Sequence, residues 1–367
     1  MQVGSRMDSP FRIFCVTGGT GFLGVAVVRI LLSRGHTVRI IVRTADKVLA
    51  AIPGVAMHLG NINDEKFMER ACEGAHGIFH LAGIVEHSRA ATANVYRINV
   101  DGTRSVMLAA AKHGLKVVLT STSGTVAVSK EPLVRGDAAG YALGVIDTWP
   151  YYDSKREGEE VARKIAAERG VKLVILRPTS IMGPGEVSLP AGKSLEYYRH
   201  KSIYKHLSGK VPYIPGGGLS ICDVREVAEA HWRAMERPEA DGGAFCLGGL
   251  PEANMTLKDY FQELEELSGV PRTRLEVPYL LGWSALAAIH AITSAMGKPY
   301  HVDPVVVEMA NHFWYVDSSE AARVLGYAPR TPRETMQHTL DYIYRHKKEL
   351  GLPHGLPPRG GLQRSKL

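Results

Sequence analysis

Thr17-Gly18-Gly19-Thr20-Gly21-Phe22-Leu23-Gly24 is the stretch on which the fold turns. Residues 11–16 before it are apolar and β-rich. Residues 21–34 after it place Val25, Val28, Leu31 and Leu32 on one helical face. The GxxGxxG spacing of Gly18, Gly21 and Gly24 therefore joins a strand to a helix. Glycine lets the turn tighten and lets backbone approach a pyrophosphate, and the helix start offers N–H groups and a positive dipole end. A plain tight turn also uses glycine. The position, at the opening of a strand–helix–strand unit, favours dinucleotide binding.

The same alternation continues outward. Strands are expected at 37–43, 77–81, 116–121 and 172–177, with helices at 64–72, 103–113 and 154–169. This spacing predicts parallel βαβ units with right-handed crossovers, an α/β doubly wound sheet covered by helices on both faces. The regularity breaks at Arg177-Pro178, where Gly183-Pro184-Gly185, Pro190, Pro212, Pro215 and three glycines at 216–218 follow. A helix at 223–236 and a strand at 244–248 return to the pattern, and helices dominate from Thr256. We expect a dinucleotide-binding domain over 10–185, rejoined by 221–249. A smaller, mainly helical substrate domain is expected from 186–220 and 250–345, and a flexible Gly/Pro tail over 351–367.

Cofactor choice is read at the end of the second strand. The run Val38-Arg39-Ile40-Ile41-Val42-Arg43-Thr44 has no carboxylate at its end. A carboxylate would bind the ribose hydroxyls of NAD and repel a 2′-phosphate, whereas Arg43 attracts one. NADP is the first choice and NAD the second; Arg43 stacking on adenine or facing solvent is the plainer reading.

Tyr151-Tyr152-Asp153-Ser154-Lys155 places Tyr151 and Lys155 on one helical face. A phenol alone is too weak an acid near neutrality, and a nearby ammonium lowers its pKa, which suits proton exchange with a carbonyl or alcohol oxygen. Such a pair is common by chance. The hydroxyl run Thr120-Ser121-Thr122-Ser123, at the end of a strand, gives it meaning, since one hydroxyl can hold the substrate oxygen beside the phenol.

Composition narrows the alternatives. The chain has 367 residues, 45% hydrophobic, with a net charge of +7 and no long basic block, so nucleic acid is a poor partner. Cys15, Cys72, Cys222 and Cys246 form no CxxC pair, which predicts free thiols and no metal site. No signal peptide is read at the start. The most apolar stretch, 279–296, is interrupted by Ser284, His290, Thr293 and Ser294 and is no confident membrane span. Within 275–296, Leu280, Leu281, Trp283, Leu286, Ile289 and Ile292 either line an apolar cleft or form helix-packing core.

TGGTGFLG, His80-Leu81-Ala82-Gly83, NVDGT at 99–103, the hydroxyl strand, YxxxK and RPTSIMGPG at 177–185 occur in the order found in extended short-chain dehydrogenases/reductases. Over about 10–345 the chain resembles this family, in particular the branch of dihydroflavonol reductases, 3β-hydroxysteroid dehydrogenases and hopanoid-associated epimerase-like proteins. The resemblance implies a seven-stranded parallel Rossmann sheet and a C-terminal substrate domain. It implies Tyr151 as acid/base and Lys155 as its pKa partner and a ribose ligand. By the same resemblance Ser123 best matches the carbonyl-orienting serine, judged from its spacing to Val126, with Thr122 as the alternative, and Asn99 matches the asparagine that supports the active-site end of a strand. Cofactor contacts fall to Gly18, Thr20, Gly21, Phe22, Leu23, Gly24, Arg43, Asn61, Ile62, Leu81, Ala82, Gly83, Tyr151, Lys155 and Pro178. Two departures stand out. Gly60-Asn61-Ile62 replaces the usual Gly-Asp-Leu near adenine, and Cys222 replaces a histidine or tyrosine before Asp223-Val224.

The implied activity is NAD(P)-dependent hydride transfer to or from a carbonyl or alcohol of a bulky, apolar small molecule. A nucleotide-sugar epimerase or dehydratase that retains its cofactor is the alternative, for which Arg323 and Arg330 are candidate diphosphate ligands. A non-catalytic NADP-binding sensor is the third reading, disfavoured by the retention of Ser123, Tyr151 and Lys155. A homodimer follows from the resemblance alone. The sequence ends Arg364-Ser365-Lys366-Leu367. In a eukaryotic cell a terminal Ser-Lys-Leu is an address read by the peroxisomal import receptor; otherwise the expected location is cytoplasmic.

Overall fold

A computed structural model of the protein describes residues 11–185, 201–211, 213–277 and 304–353. The apolar stretch from 279, with its cleft candidates from Leu280 to Ile292, and the C-terminal tripeptide lie outside the described residues. Seven parallel strands form the central sheet: β1 (Ile13–Thr17), β2 (Thr37–Val42), β3 (Val55–Leu59), β4 (Gly77–His80), β5 (Lys116–Thr120), β6 (Leu173–Pro178) and β7 (Ala244–Leu247). Their order across the sheet is β7-β6-β5-β4-β1-β2-β3. The order reverses between β1 and β4, and the crevice beyond the carboxyl ends of those strands is where such sheets bind ligands.

Side-chain alternation sends neighbouring strand residues to opposite layers. Phe14, Val16, Val38, Ile40, Phe79, Val118 and Val174 pack with α1 (Phe22–Ser33) and α5 (Val224–Glu236). Cys15, Ile41, Ile78, Val117, Leu119 and Ile175 pack with α2 (Glu65–Cys72), α3 (Gly102–His113) and α4 (Pro150–Arg169). The core is thus two apolar layers, one on each sheet face. Asp64, Thr331 and Asp223 cap their helices by accepting backbone N–H bonds, each such cap contributing about 1 kcal/mol.

Two elements differ from expectation. β3 has no counterpart in the strands read from the sequence. It is one of the two edge strands, paired only with β2, and its side chains are half-buried or exposed. Helix α4 begins at Pro150, four residues earlier than expected, because proline suits the first helical position, where no N–H bond is needed. Beyond β6, the pairings are short: Ile221–Asp223 with Ser180–Met182, and Gly218–Leu219 with both Met255–Thr256 and Phe313–Trp314. These bring residues 304–314 over the carboxyl ends of the sheet. Among the described residues no helix is long and apolar enough to cross a membrane, and all four cysteines are buried and free.

Candidate active site

The glycine turn is shaped by missing side chains. Gly18 has φ +70°, and a Cβ there would lie 2.7 Å from Ala82 N. A Cβ on Gly24 would lie 2.1 Å from the Gly18 carbonyl oxygen. Gly21 N donates to that same oxygen at 3.0 Å, and Gly21 caps α1 without a side chain. The turn therefore lies flat between the start of α1 and the Leu81-Ala82 backbone, a cradle that fits a dinucleotide phosphate and that any Cβ would fill. Gly18, Gly21, Gly24, Leu81 and Ala82 come together here, with Thr20 half-buried and Phe22 buried beside them.

A hydrogen-bonded chain ties this turn to the catalytic helix. Ala82 N donates to Thr17 Oγ1 at 3.1 Å, and Thr17 Oγ1 lies 2.7 Å from His80 Nδ1. His80 Nε2 lies 3.1 Å from Thr103 Oγ1, whose hydroxyl donates to Asn99 O at 2.7 Å. With the Thr103 proton committed to a carbonyl, His80 Nε2 must donate and Nδ1 must accept. Burial, with Lys155 nearby, pushes the His80 pKa down to about 3, in keeping with this neutral ring. Asn99 then clamps the loop beyond β4: its Oδ1 accepts from Ile84 N at 2.9 Å and its Nδ2 donates to Ile84 O at 3.1 Å. Nδ2 also reaches Ser154 Oγ at 3.0 Å, and Ser154 donates to the Tyr151 carbonyl at 2.7 Å.

Tyr151 and Lys155 stand one turn apart on α4 and open into one cleft. Lys155 is buried, and its Nζ donates to Thr120 O at 2.7 Å. Desolvation lowers its pKa to about 8 against the upward pull of Glu159. A buried cation beside a phenol favours the phenolate. Below it, Glu159 is gripped by Arg177 through Nε at 3.0 Å and Nη2 at 2.5 Å, and both groups are buried. Burial alone would push the Glu159 carboxyl up, but Arg177 holds it below the ordinary carboxylate range. Thr122 Oγ1 accepts from Gly124 N at 3.3 Å as the cap of a short turn, whereas the Ser123 hydroxyl makes no hydrogen bond among the described residues. Ser123 is accordingly the better placed of the two to hold a substrate oxygen.

The cleft encloses about 540 Å³. Leu23, Gly83, Ser123, Tyr151, Lys155 and Pro178 line it, so the sequence-derived residues of the nicotinamide end converge. The adenine-end candidates lie apart from it. Arg43 is exposed just past β2, and Asn61 is exposed past β3, its Oδ1 accepting from Asn63 N at 3.1 Å. Ile62 packs partly into the helix α2 and α3 layer.

The apolar part of the lining was not legible in the sequence. Val85, His87, Tyr152, Leu219, Leu257, Val306, Met309, Ala310 and Trp314 form it. Tyr152 packs against Trp314 at 4.8 Å and Tyr151 at 4.9 Å between ring centroids, and His87 stacks on Tyr152 at 5.8 Å. A Cβ on Gly124 would lie 2.2 Å from the Tyr152 ring, so glycine is required there. The local signals were the aromatic runs Trp149-Pro150-Tyr151-Tyr152 and Phe313-Trp314-Tyr315. Cys222 is buried away from this cleft, Arg323 pairs with Glu320, and Arg330 pairs with Glu226 and Asp223.

The family model described as "NAD dependent epimerase/dehydratase family" matches residues 14–248. The chain belongs to that family. It is 27% identical over 340 residues to a putative dihydroflavonol 4-reductase of Synechocystis sp., covering 91% of this chain and 95% of the relative. It is 32% identical over 259 residues to cinnamoyl-CoA reductase 1 of Oryza sativa subsp. japonica, covering 65% and 71% of the two chains. The crystal structure of gox2253 superposes with a TM-score of 0.74 at 26% identity, over 91% of this chain and 98% of that one. The protein is an NAD(P)-dependent oxidoreductase of the extended short-chain dehydrogenase/reductase type.

Proposed function

We propose that the protein exchanges hydride between NADP(H) and a carbonyl or alcohol of a bulky, apolar small molecule. The observation that carries this reading is the set of aromatic and aliphatic side chains that line the cleft together with Tyr151. Among the described residues lining the cleft, Lys201 is the one cation besides Lys155, and apolar side chains outnumber it. The nicotinamide cofactor, held by the glycine cradle, supplies the hydride chemistry. The chain's own residues manage the oxygen. Ser123 donates a hydrogen bond to it, Tyr151 gives or takes its proton, and Lys155 stabilises the phenolate and reaches the ribose. NADP is favoured because Arg43 stands alone at the end of β2. The next carboxylate, Asp46, turns its Oδ1 to Val48 N and Leu49 N at 3.1 and 3.2 Å. Homodimerisation remains part of this proposal on family grounds.

The test is NADPH oxidation against a panel of bulky aryl and alicyclic ketones and aldehydes, with UDP-sugars as the contrasting arm. Turnover of the apolar carbonyls is expected, and Tyr151→Phe should remove it, a loss of about 10²–10⁴-fold, with NADPH binding intact. Turnover confined to UDP-sugars, or wild-type rates in Tyr151→Phe, would overturn the reading. In titrations, Arg43→Ala should weaken NADPH by about 1.5–3 kcal/mol and leave NADH nearly unchanged. Wild-type protein binding NADH ten times more tightly than NADPH would reverse the cofactor assignment.

A further inference from the structure

The proton chemistry of Tyr151 and Lys155 leaves one fully buried histidine without a role. His231 lies in α5, on the sheet face opposite α4. Its Nδ1 is 2.7 Å from Val227 O and its Nε2 is 2.7 Å from Thr120 Oγ1. A carbonyl only accepts, so Nδ1 carries the proton, Nε2 accepts, and the Thr120 hydroxyl donates. Burial pushes this imidazole down to about 4, which keeps it a neutral acceptor near pH 7.

Thr120 is the last residue of β5, and its carbonyl is the acceptor for Lys155 Nζ at 2.7 Å. One residue is thus held from both sides of the sheet, by its hydroxyl to α5 and by its carbonyl to α4. Lys155 is buried, so its ammonium depends on the few acceptors it can reach. Its charge faces Glu159, already engaged by Arg177, and neutral His80.

We propose that His231 is a positioning residue for Lys155, which acts through Thr120 and across the sheet to fix the carbonyl on which the ammonium rests. With that carbonyl fixed, the charged form of Lys155 is favoured and the Tyr151 phenolate with it. The inference rests on reading Lys155 as the charge partner of Tyr151.

The test uses His231→Phe, which keeps a ring but removes the acceptor, and Thr120→Val, which removes only the donor. The Tyr151 phenol is titrated by ultraviolet difference absorbance, each variant against the same background carrying Tyr151→Phe, so no substrate is required. In both variants the phenol should titrate roughly half to one pH unit higher. Thr120→Ser, which restores the hydroxyl, should recover the wild-type titration. The double variant should move no further than either single one, since both break the same contact. An unchanged titration in Thr120→Val, or additive shifts in the double variant, overturns the proposal. If His231→Phe does not fold, the Thr120 pair of variants decides alone. Failure of the wild-type protein to reduce any carbonyl would sink the proposed reaction but leave this titration intact.

Discussion

On the glycine-turn side of the cleft, close contacts are fixed by a directed hydrogen bond or by the absence of a Cβ. On the side formed by Tyr152, Val306, Met309 and Trp314, ring and aliphatic packing dominates, with one directed bond, from Trp314 Nε1 to Met309 O at 3.2 Å. The first kind of surface holds one ligand shape and has little tolerance. The second excludes water and sorts ligands by bulk, and one methylene there is worth only about 1–3 kcal/mol of discrimination. Under the proposed function, a single cofactor would meet a rigid seat, and substrate identity would be left to an adaptable surface.

Acid should have the largest effect, and it should act on both sides. His80 and His231 have folded pKa values of about 3 and about 4, against 6.5 for a free imidazole. Each resists protonation when folded, so its contribution is fully present above pH 6.5 and is lost as pH falls toward those values. The slope is at most about 1.4 kcal/mol per pH unit for each ring. His312, which also lines the cleft, is shifted down by burial and adds in the same sense. Urea midpoints measured from pH 7 to 4.5 should fall steeply. His231→Gln should flatten the slope, and an unchanged slope would mean that the ring is not buried and neutral.

A smaller effect should follow from Gly24→Ala. The new Cβ must displace the Gly18 carbonyl, 2.1 Å away, and backbone cannot move aside cheaply. We expect about 1–3 kcal/mol of lost stability and dinucleotide affinity reduced about 100-fold. Native cofactor affinity in this variant would show that the turn is looser than its geometry implies. Smallest is Val306→Asp, at a position 42% exposed and so tolerant of change. A carboxylate there should raise KM for an apolar carbonyl about tenfold, roughly 1.4 kcal/mol, with melting temperature and cofactor affinity unchanged. A lowered cofactor affinity would instead mean that the two sides are coupled.

The same contrast explains what the sequence revealed. Gly18, Gly21 and Gly24 lie within seven residues, and Tyr151 and Lys155 within one helical turn, so local spacing exposes them. The core strands stand out as buried apolar runs because helices cover both faces, whereas β3, at one edge, is half in water and was not read as a strand. The apolar lining joins Val85, Tyr152, Leu219 and Trp314 from four separate segments. No local period marks such residues; the short pairing of Gly218–Leu219 with Phe313–Trp314 joins two of those segments, and the Tyr152–Trp314 ring contact joins a third. Thr120 and His231 were equally hidden, one among four hydroxyls and the other on the core face of a helix.

Pro150 opens α4, and Tyr151 follows within the first turn of that 20-residue helix. The peptide dipoles of a helix sum to roughly half a positive charge at this end, worth about 0.3–1 kcal/mol to a neighbouring anion. A phenolate formed at Tyr151 in the proposed reaction would therefore stand in a field set partly by main chain, which no side-chain replacement removes. A protein stripped of Lys155 would retain that fraction of its acidity, a floor supplied by where the helix starts.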